Sequence, residues 1–391
     1  MLKFVHLFPD DKFVDFFCEL CEHQFPKESK YFVCSCDNTL KYIKRSDLVK
    51  HISPDAAGLE DILNSVSTCG LLIIHFLTDF GIRLVNRIPY HATLVWSGWG
   101  ADYYNRIPNF EDWAYHDQTK AFLAKLYPHQ QHNKMEGSLK TEQLDLPLRK
   151  AIGRVDYFSA PIPDDYELMK NAFPWFKAKY IQLNYGSVES TFQPGALCIR
   201  GKNILVGNSA TPTNNHLEVF NMLQSIELDD SKIFVPLSYG GLNYLTYREN
   251  LINEATDILG KHFSPLINFI PLEEYNRTIS SCGIAIMNHR RQQALGNIGM
   301  MMYNGAKLFL NREGPVYNFF QKLGAHIYAV DQINYGKDFL FEPLTKVQIS
   351  NNRAILEDFW GHANVENNLR HIAKLTCSPL ARLRSILKIF S

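Results

Sequence analysis

Residues 204–220, ILVGNSATPTNNHLEVF, decide how this chain is read. Three apolar residues, Ile204–Val206, stop at Gly207-Asn208-Ser209. Small polar residues follow, and apolar positions resume at helical spacing from His216 to Phe220. A short continuous apolar run, a glycine and then a helical period predict a buried strand, a tight turn and a helix N-terminus. The unpaired N–H groups of a helix start make a ready site for an anion. Thr213 is the expected N-cap of that helix. The stretch is not G-x-G-x-x-G, which disfavours dinucleotide binding. Taken alone it is also what an ordinary strand-to-helix turn looks like.

The same rhythm extends both ways. Downstream, strands are expected at 203–206, 233–236, 267–270, 283–287, 307–310 and 327–330, with helical patterns between them. Upstream, apolar runs at 4–8, 31–34, 71–76, 93–96, 157–160 and 180–183 alternate with helical patterns in the same way. Continuous rather than alternating apolar strands indicate parallel sheets covered on both faces. Strands alternating with helices indicate doubly wound α/β domains. Residues 184–202 lose the rhythm and read as a linker. The expectation is an α/β protein with an N-terminal Rossmann-like domain over 1–190, a second over 200–350 and C-terminal helices over 351–391, the two domains facing a central cleft. Ligands of such sheets sit beyond the carboxyl ends of the strands, so the residues that matter should follow strands.

Composition narrows the class. The chain has 391 residues, 46% hydrophobic and 20% charged, and a formal net charge of zero. That is enough apolar material for two cores, and the charge balance argues against a nucleic-acid partner. No apolar run approaches the roughly 18 residues of a membrane span, and Asp10 and Asp11 interrupt any signal-peptide pattern, so a cytoplasmic protein is expected. Of eight cysteines, Cys18, Cys21, Cys34 and Cys36 invite a zinc reading, but C-x-C is poor structural-zinc spacing and the first two lie in a helical pattern. Reduced, mostly buried thiols are the better reading.

Several strand ends carry candidate chemistry. After Ile233–Pro236 comes Leu237-Ser238-Tyr239-Gly240-Gly241, where Tyr239 is placed to stack on or hydrogen-bond a ligand, or simply to sit on the surface. After Gly283–Met287 comes His289-Arg290-Arg291-Gln292-Gln293-Ala294-Leu295-Gly296-Asn297. Two arginines there suit a diphosphate, Gln292 and Gln293 suit sugar hydroxyls, and a helix start near Gly296 and Asn297 adds N–H groups. A solvated charge run is the plain alternative. In the first half, His75 ends one strand and Trp99-Gly100-Ala101-Asp102 follows another. Asp102 or His75 would serve as general base toward an attacking hydroxyl; a structural histidine and a helix-capping aspartate are the plain readings.

In order and spacing, ILVGNS…NNH (204–216), WGAD (99–102), RQQ-x-x-G (291–296), LFLNRE (308–313) and the strand-end His75 resemble the bacterial TDP-N-acetylfucosamine:lipid II N-acetylfucosaminyltransferases. The resemblance is densest over 200–315. It implies a GT-B glycosyltransferase fold with the sugar-nucleotide donor on the second domain and transfer of 4-acetamido-4,6-dideoxygalactose from a dTDP donor to a lipid-linked saccharide at the inner membrane. By position it would place Gly207, Asn208, Ser209, Arg291, Gln292, Gln293 and Gly296 at the donor, and Asp102 and His75 at the acceptor. Ala294 stands where the family pattern suggests Gly, and Arg290 where it suggests a small residue. The N-terminal half diverges most, so an O-antigen, capsule or other cell-surface glycan is as good an acceptor. No Asp-x-Asp triplet occurs, so no metal or other cofactor is expected. Diphosphate charge would fall to arginines and helix ends.

After Asn367 the chain carries Arg370, Lys374, Arg382, Arg384 and Lys388 and no acid, and Leu380, Leu383, Ile386, Leu387 and Phe390 share a helical face. Residues 379–391 read as a basic amphipathic helix for a membrane surface, or as a helix packing back on the first domain. A sugar-nucleotide epimerase of the same fold and a non-catalytic saccharide- or nucleotide-binding module are the alternative functions.

Overall fold

The computed structural model describes residues 2–37, 39–89, 91–128, 146–192, 201–241 and 244–375. In chain order, β1 (Phe4–Pro9), α1 (Val14–Gln24), β2 (Ser29–Cys34), β3 (Val49–Ile52), α2 (Ala56–Cys69), β4 (Leu71–His75), α3 (Asp79–Val85), β5 (Thr93–Ser97) and α4 (Ala101–Tyr104) come first. Next are α5 (Phe110–Ala114), α6 (Asp117–Leu126), α7 (Leu146–Arg154), β6 (Tyr157–Ser159), α8 (Pro163–Ala172) and β7 (Lys179–Tyr180). The second half holds β8 (Asn203–Val206), α9 (His216–Gln224), β9 (Ile233–Pro236), α10 (Tyr244–Leu259), β10 (Phe263–Leu266), α11 (Leu272–Ser280) and β11 (Cys282–Met287). It continues with α12 (Leu295–Tyr303), β12 (Lys307–Leu310), α13 (Pro315–Lys322), β13 (Tyr328–Ala329), α14 (Lys337–Phe341), α15 (Lys346–Trp360) and α16 (His362–Leu375).

The strands form two sheets, ordered β3-β2-β1-β4-β5-β6-β7 and β10-β9-β8-β11-β12-β13. Every pairing is parallel. Counted from its own first strand, the second sheet runs 3-2-1-4-5-6 and the first the same with a seventh strand added at the end, the doubly wound order in which the winding reverses between strands 1 and 4. The reversal falls between β1 and β4 in one sheet and between β8 and β11 in the other. Loops diverge there, and the backbone leaves a crevice beyond the strand ends. The fully buried runs Leu71–Ile74 and Leu308–Leu310 show why the strands carry continuous apolar blocks: helices cover both faces.

The chain divides into two compact units. Of the described residues, one unit contains those within 2–108, 146–187 and 360–375; the other contains those within 109–128, 188–192 and 201–359. The first core gathers Phe4, Phe8, Phe17, Ile73 and Val95 with Val365, Leu369, Ile372 and Ala373 of α16. The last four share one helical face, each large apolar side chain contributing about 1.5–3 kcal/mol by burial. The second core gathers Val206, Phe220, Val235, Leu251, Ile286 and Phe309, and Phe122 of α6 joins it.

A single boundary near residues 190–200 does not describe this division, because 109–128 fold with the second unit. Part of the expected linker is helical among the described residues. Val188–Phe192 form a helical turn, and a β-carbon on Gly299 of α12 would lie 2.3 Å from the Phe192 ring. The strand expected at 267–270 lies at Phe263–Leu266 instead. It pairs only with β9, at the edge where Pro265 is tolerated. The apolar INFI after it is loop, with Phe269 88% exposed. The basic segment 379–391 lies outside the described residues, and no helix among those described is long and apolar enough to cross a membrane.

Candidate functional site

The turn after β8 and the segment after β11 leave neighbouring strands at the reversal point of the second sheet. Gly207 has φ +67°, a conformation costly for other residues. Its N–H still belongs to the sheet, donating to Ile286 O at 3.0 Å. Beyond it the chain folds around one side chain, Asn214. Asn214 Oδ1 accepts the Asn208 N–H at 2.9 Å, and Nδ2 donates to Ser209 O and Thr211 O, both at 3.0 Å. Because Oδ1 is an acceptor, His289 Nε2, 2.9 Å away, must carry its proton. Burial and Arg291 hold that imidazole well below its ordinary pKa. His289 Nδ1 is thus a bare, buried acceptor without a partner among the described residues; His216 Nε2 is also buried without one, its Nδ1 lying 3.2 Å from Tyr247 Oη.

Gln293 ties the second loop to the first. Its Nε2 donates to Asn208 Oδ1 at 2.8 Å and Thr211 Oγ1 at 3.2 Å, and its Oε1 accepts from Thr213 Oγ1 at 2.7 Å. Asn208 Nδ2 in turn donates to Tyr239 Oη at 3.1 Å. The structure therefore brings Gly207, Asn208, Ser209, Tyr239 and Gln293 together. It also changes their roles. The side chains of Asn208, Ser209 and Gln293 are buried and spend their hydrogen bonds on each other. What faces outward is Tyr239, 53% exposed, and backbone. Thr213 caps no helix: α9 starts at His216 after an Asn215 with φ +49°.

Arg290, Arg291 and Gln292 complete the crossing from β11 to α12. Arg290 forms an ion pair with Glu313, and its Nε is buried without a partner. Arg291 is half-buried and Gln292 buried. α12 begins at Leu295, its cap residue Ala294 at φ +63°. Gly296 is exposed in the first turn, where helix N–H groups lack intrahelical partners. Asn297 hydrogen-bonds the half-buried Tyr275. Two arginines and an open helix start thus follow β11 on the side where the Gly207 turn follows β8.

In the first unit the expected base is a structural carboxylate. Asp102 is 3% exposed. Its Oδ2 accepts from Leu77 N (2.9 Å) and Trp96 Nε1 (2.8 Å), and its Oδ1 from Trp99 N (2.8 Å) and Gly100 N (3.1 Å). Burial raises its pKa, and those hydrogen bonds oppose the rise. A carboxylate with both oxygens doubly engaged organises the loop after β5 and has no lone pair aimed at a substrate. The next residues are also buried: Tyr103 and Tyr104 donate to the two oxygens of Asp165. His75 is fully buried, stacked 3.9 Å from the Phe8 ring, with Nε2 3.0 Å from His6 Nδ1. Burial and His6 hold it far below the usual histidine pKa, so it is a neutral core imidazole. Both expectations of a base are corrected by the same cause: these strand ends are roofed by aromatic side chains, among them Trp99, Phe13 and Tyr185.

Cys18 and Cys21 lie on the buried face of α1, and burial pushes the Cys21 thiol up to about 12. Cys34 ends β2 and Cys36 is exposed. Among the described residues the group of His, Cys, Asp and Glu side chains close enough to share an ion is His23, His362 and Glu366, and it includes none of these thiols.

Asn214, His216 and His289 are the organising residues that sequence reasoning passed over as site members. Their signal was the NNH of the opening stretch and a histidine directly after a strand.

Residues 192–338 match the family described as 4-alpha-L-fucosyltransferase, glycosyl transferase group 56. The fold is similar to HepE of Anabaena, solved in complex with UDP, at TM-score 0.63 and 11% identity over 95% of this chain and all of that one. It is similar to a glycosyltransferase of Rickettsia africae at TM-score 0.63 and 12% identity, covering 97% and 99%. It is also similar to sucrose-phosphate synthase of Thermosynechococcus elongatus at TM-score 0.56 and 9% identity, covering 95% and 98%. Residues 192–338 are thus similar to glycosyl transferase group 56, and the chain is a glycosyltransferase with the GT-B fold.

Proposed function

We propose that the protein transfers a deoxyamino sugar of the 4-acetamido-4,6-dideoxygalactose kind from a dTDP-linked donor to a lipid-linked or other cell-surface glycan. The observation that carries the donor half is the meeting of the Gly207 turn and the Arg290–Asn297 segment at the reversal point of the second sheet. Backbone N–H groups of the α12 start and the guanidinium of Arg291 suit a diphosphate, and Tyr239 offers an exposed ring beside it. The choice of dTDP and of the sugar rests on the motifs shared with the N-acetylfucosaminyltransferases. Diphosphate charge is met by arginine and helix N–H groups, without a metal. The basic segment 379–391 supports work at the cytoplasmic face of the inner membrane, each basic residue near an anionic surface contributing about 1 kcal/mol.

The test is thermal stabilisation of the full chain by dTDP, UDP and GDP. At a hundredfold excess over Kd a ligand stabilises by about 2.7 kcal/mol. A larger shift with dTDP than with UDP or GDP is expected and should survive EDTA. No shift with any nucleotide overturns the reading, and loss of the shift in EDTA overturns its metal-free part.

A further inference from the structure

Residues 109–128 come from the first half of the sequence, outside the matched stretch 192–338, yet they fold with the second unit. Their anchoring is specific. Both oxygens of Glu218 are taken by Thr119, from its N–H at 2.9 Å and its hydroxyl at 2.8 Å. Phe122 enters the second core. Asn215 Oδ1 accepts the His116 N–H at 2.9 Å, while Asn215 Nδ2 donates to Ala114 O at 3.1 Å and Asn288 O at 3.1 Å. The α5–α6 junction, Tyr115-His116, is thereby fastened to the loop that follows β11.

A row of amides then fixes the His116 ring. Asn311, directly after β12, accepts the Glu313 N–H on Oδ1 at 2.9 Å. Its Nδ2 must therefore point the other way, and it donates to Asn288 Oδ1 and to His116 Nε2, both at 2.7 Å. An N–H aimed at Nε2 makes that nitrogen the acceptor, so the neutral ring carries its proton on Nδ1. The ring is half-buried, and no group of the described residues engages Nδ1. Arg290 and Glu313 are among the charges that act on this imidazole, with Glu218 and Asp117, and Arg291 acts on the neighbouring Tyr115. A fixed N–H on a half-buried ring thus stands beside the two arginines that follow β11.

The geometry points to His116 donating its Nδ1–H to a phosphate oxygen of the nucleoside diphosphate held at the end of the second sheet. The segment 109–128 then belongs to the sugar-nucleotide site, although it lies in the half of the sequence where the acceptor was expected. This assignment rests on the donor reading above.

Two isosteres separate the roles of the two ring nitrogens. In His116→Gln the side-chain oxygen reaches the Nε2 position and keeps the Asn311 bond, with no N–H at the Nδ1 position. In His116→Asn the amide nitrogen occupies the Nδ1 position and the Asn311 bond is lost. Calorimetric titration of the full-length chain with dTDP and with UDP, beside a melting curve for each variant, reads the difference. Hydrogen bonds to charged groups are worth about 1.5–3 kcal/mol, a tenfold to hundredfold change in Kd. A loss of that size in His116→Gln, with His116→Asn within about threefold of the parent, is the expected result. The reverse order shows that His116 only braces Asn311 and overturns the proposal, as do equal affinities or equal losses in both variants. A parent chain that binds neither nucleotide instead overturns the donor reading itself.

Discussion

Gly207 is seated directly against Asn214: a β-carbon at residue 207 would lie 2.6 Å from Asn214 Oδ1 and 2.8 Å from His216 Nε2. The turn after β8 closes on the very amide that organises it. Gly207→Ala therefore meets two costs, a left-handed φ at roughly 1–2 kcal/mol and an overpacked contact at roughly 1–3 kcal/mol. Urea unfolding should show a loss of about 2–5 kcal/mol together with loss of nucleotide binding. Gly241→Ala, where a β-carbon would meet nothing within 4 Å, is the matched control and should be close to neutral.

Ala294 occupies a left-handed conformation, φ +63°, at the cap of α12. It is also the position where the family pattern suggests glycine. Ala294→Gly relieves the backbone at some cost in unfolded-state entropy, leaving a net gain of roughly 0.5–1 kcal/mol. A melting temperature raised by a degree or more, with nucleotide affinity retained, is expected. A lowered melting temperature would contradict the strain argument.

Asp102→Asn exchanges one doubly engaged oxygen for an amide nitrogen, which then faces two N–H groups. Repulsion and unpaired buried donors should lower stability by roughly 2–4 kcal/mol. Turnover per folded molecule should remain close to that of the parent. A collapse of kcat in a variant that melts like the parent would restore Asp102 as the catalytic base.

Acid should weaken both units. Burial lowers the pKa of His6 and of His216 to about 3 and holds His75 and His289 well below the ordinary value. In the unfolded chain each imidazole takes up a proton near pH 6.5. Unfolding therefore binds protons between about pH 6.5 and 3. The stability held by the neutral rings is complete above pH 6.5 and is lost as pH falls, by about 1.4 kcal/mol per pH unit per histidine. Urea midpoints measured between pH 7.5 and 5, above the range where ordinary carboxylates titrate, should stay level to about 6.5 and then decline. A level midpoint down to pH 5 would mean that these rings are already charged in the native protein.

Much of the architecture was legible because parallel sheets announce themselves. Leu71–Ile74 and Leu308–Leu310 are buried on both faces, so their sequences are unbroken apolar blocks that periodicity finds without tertiary information. The edge strand was misplaced for the complementary reason. Ile267 and Phe269 look like core but are exposed, while Ser264 and Pro265, which look like loop, pair with β9 because an edge needs partners on one side only. In the candidate site, sequence located the loops and misjudged the side chains. Asn208, Ser209 and Gln293 carry ligand-binding chemistry on paper, yet they are buried and satisfied by one another. Position after a strand says that a residue is near the crevice; it does not say which way the side chain turns.

By itself, then, the sequence determined two doubly wound α/β domains, the turn at Gly207, the arginine-bearing crossing at 290–297 and the family resemblance those motifs carry. These follow from local rules: residue volume, backbone freedom and the period of apolar positions. Tertiary structure alone decided that Asp102 is a loop clasp, that His75 is a neutral core ring, that Asn214 is the hub of the site and that residues 109–128 fold with the second unit. Each of those depends on hydrogen bonds or burial between residues far apart in the chain. Such partners compete with many alternatives of the same chemical type, and only the packed sheets bring one of them within 3 Å.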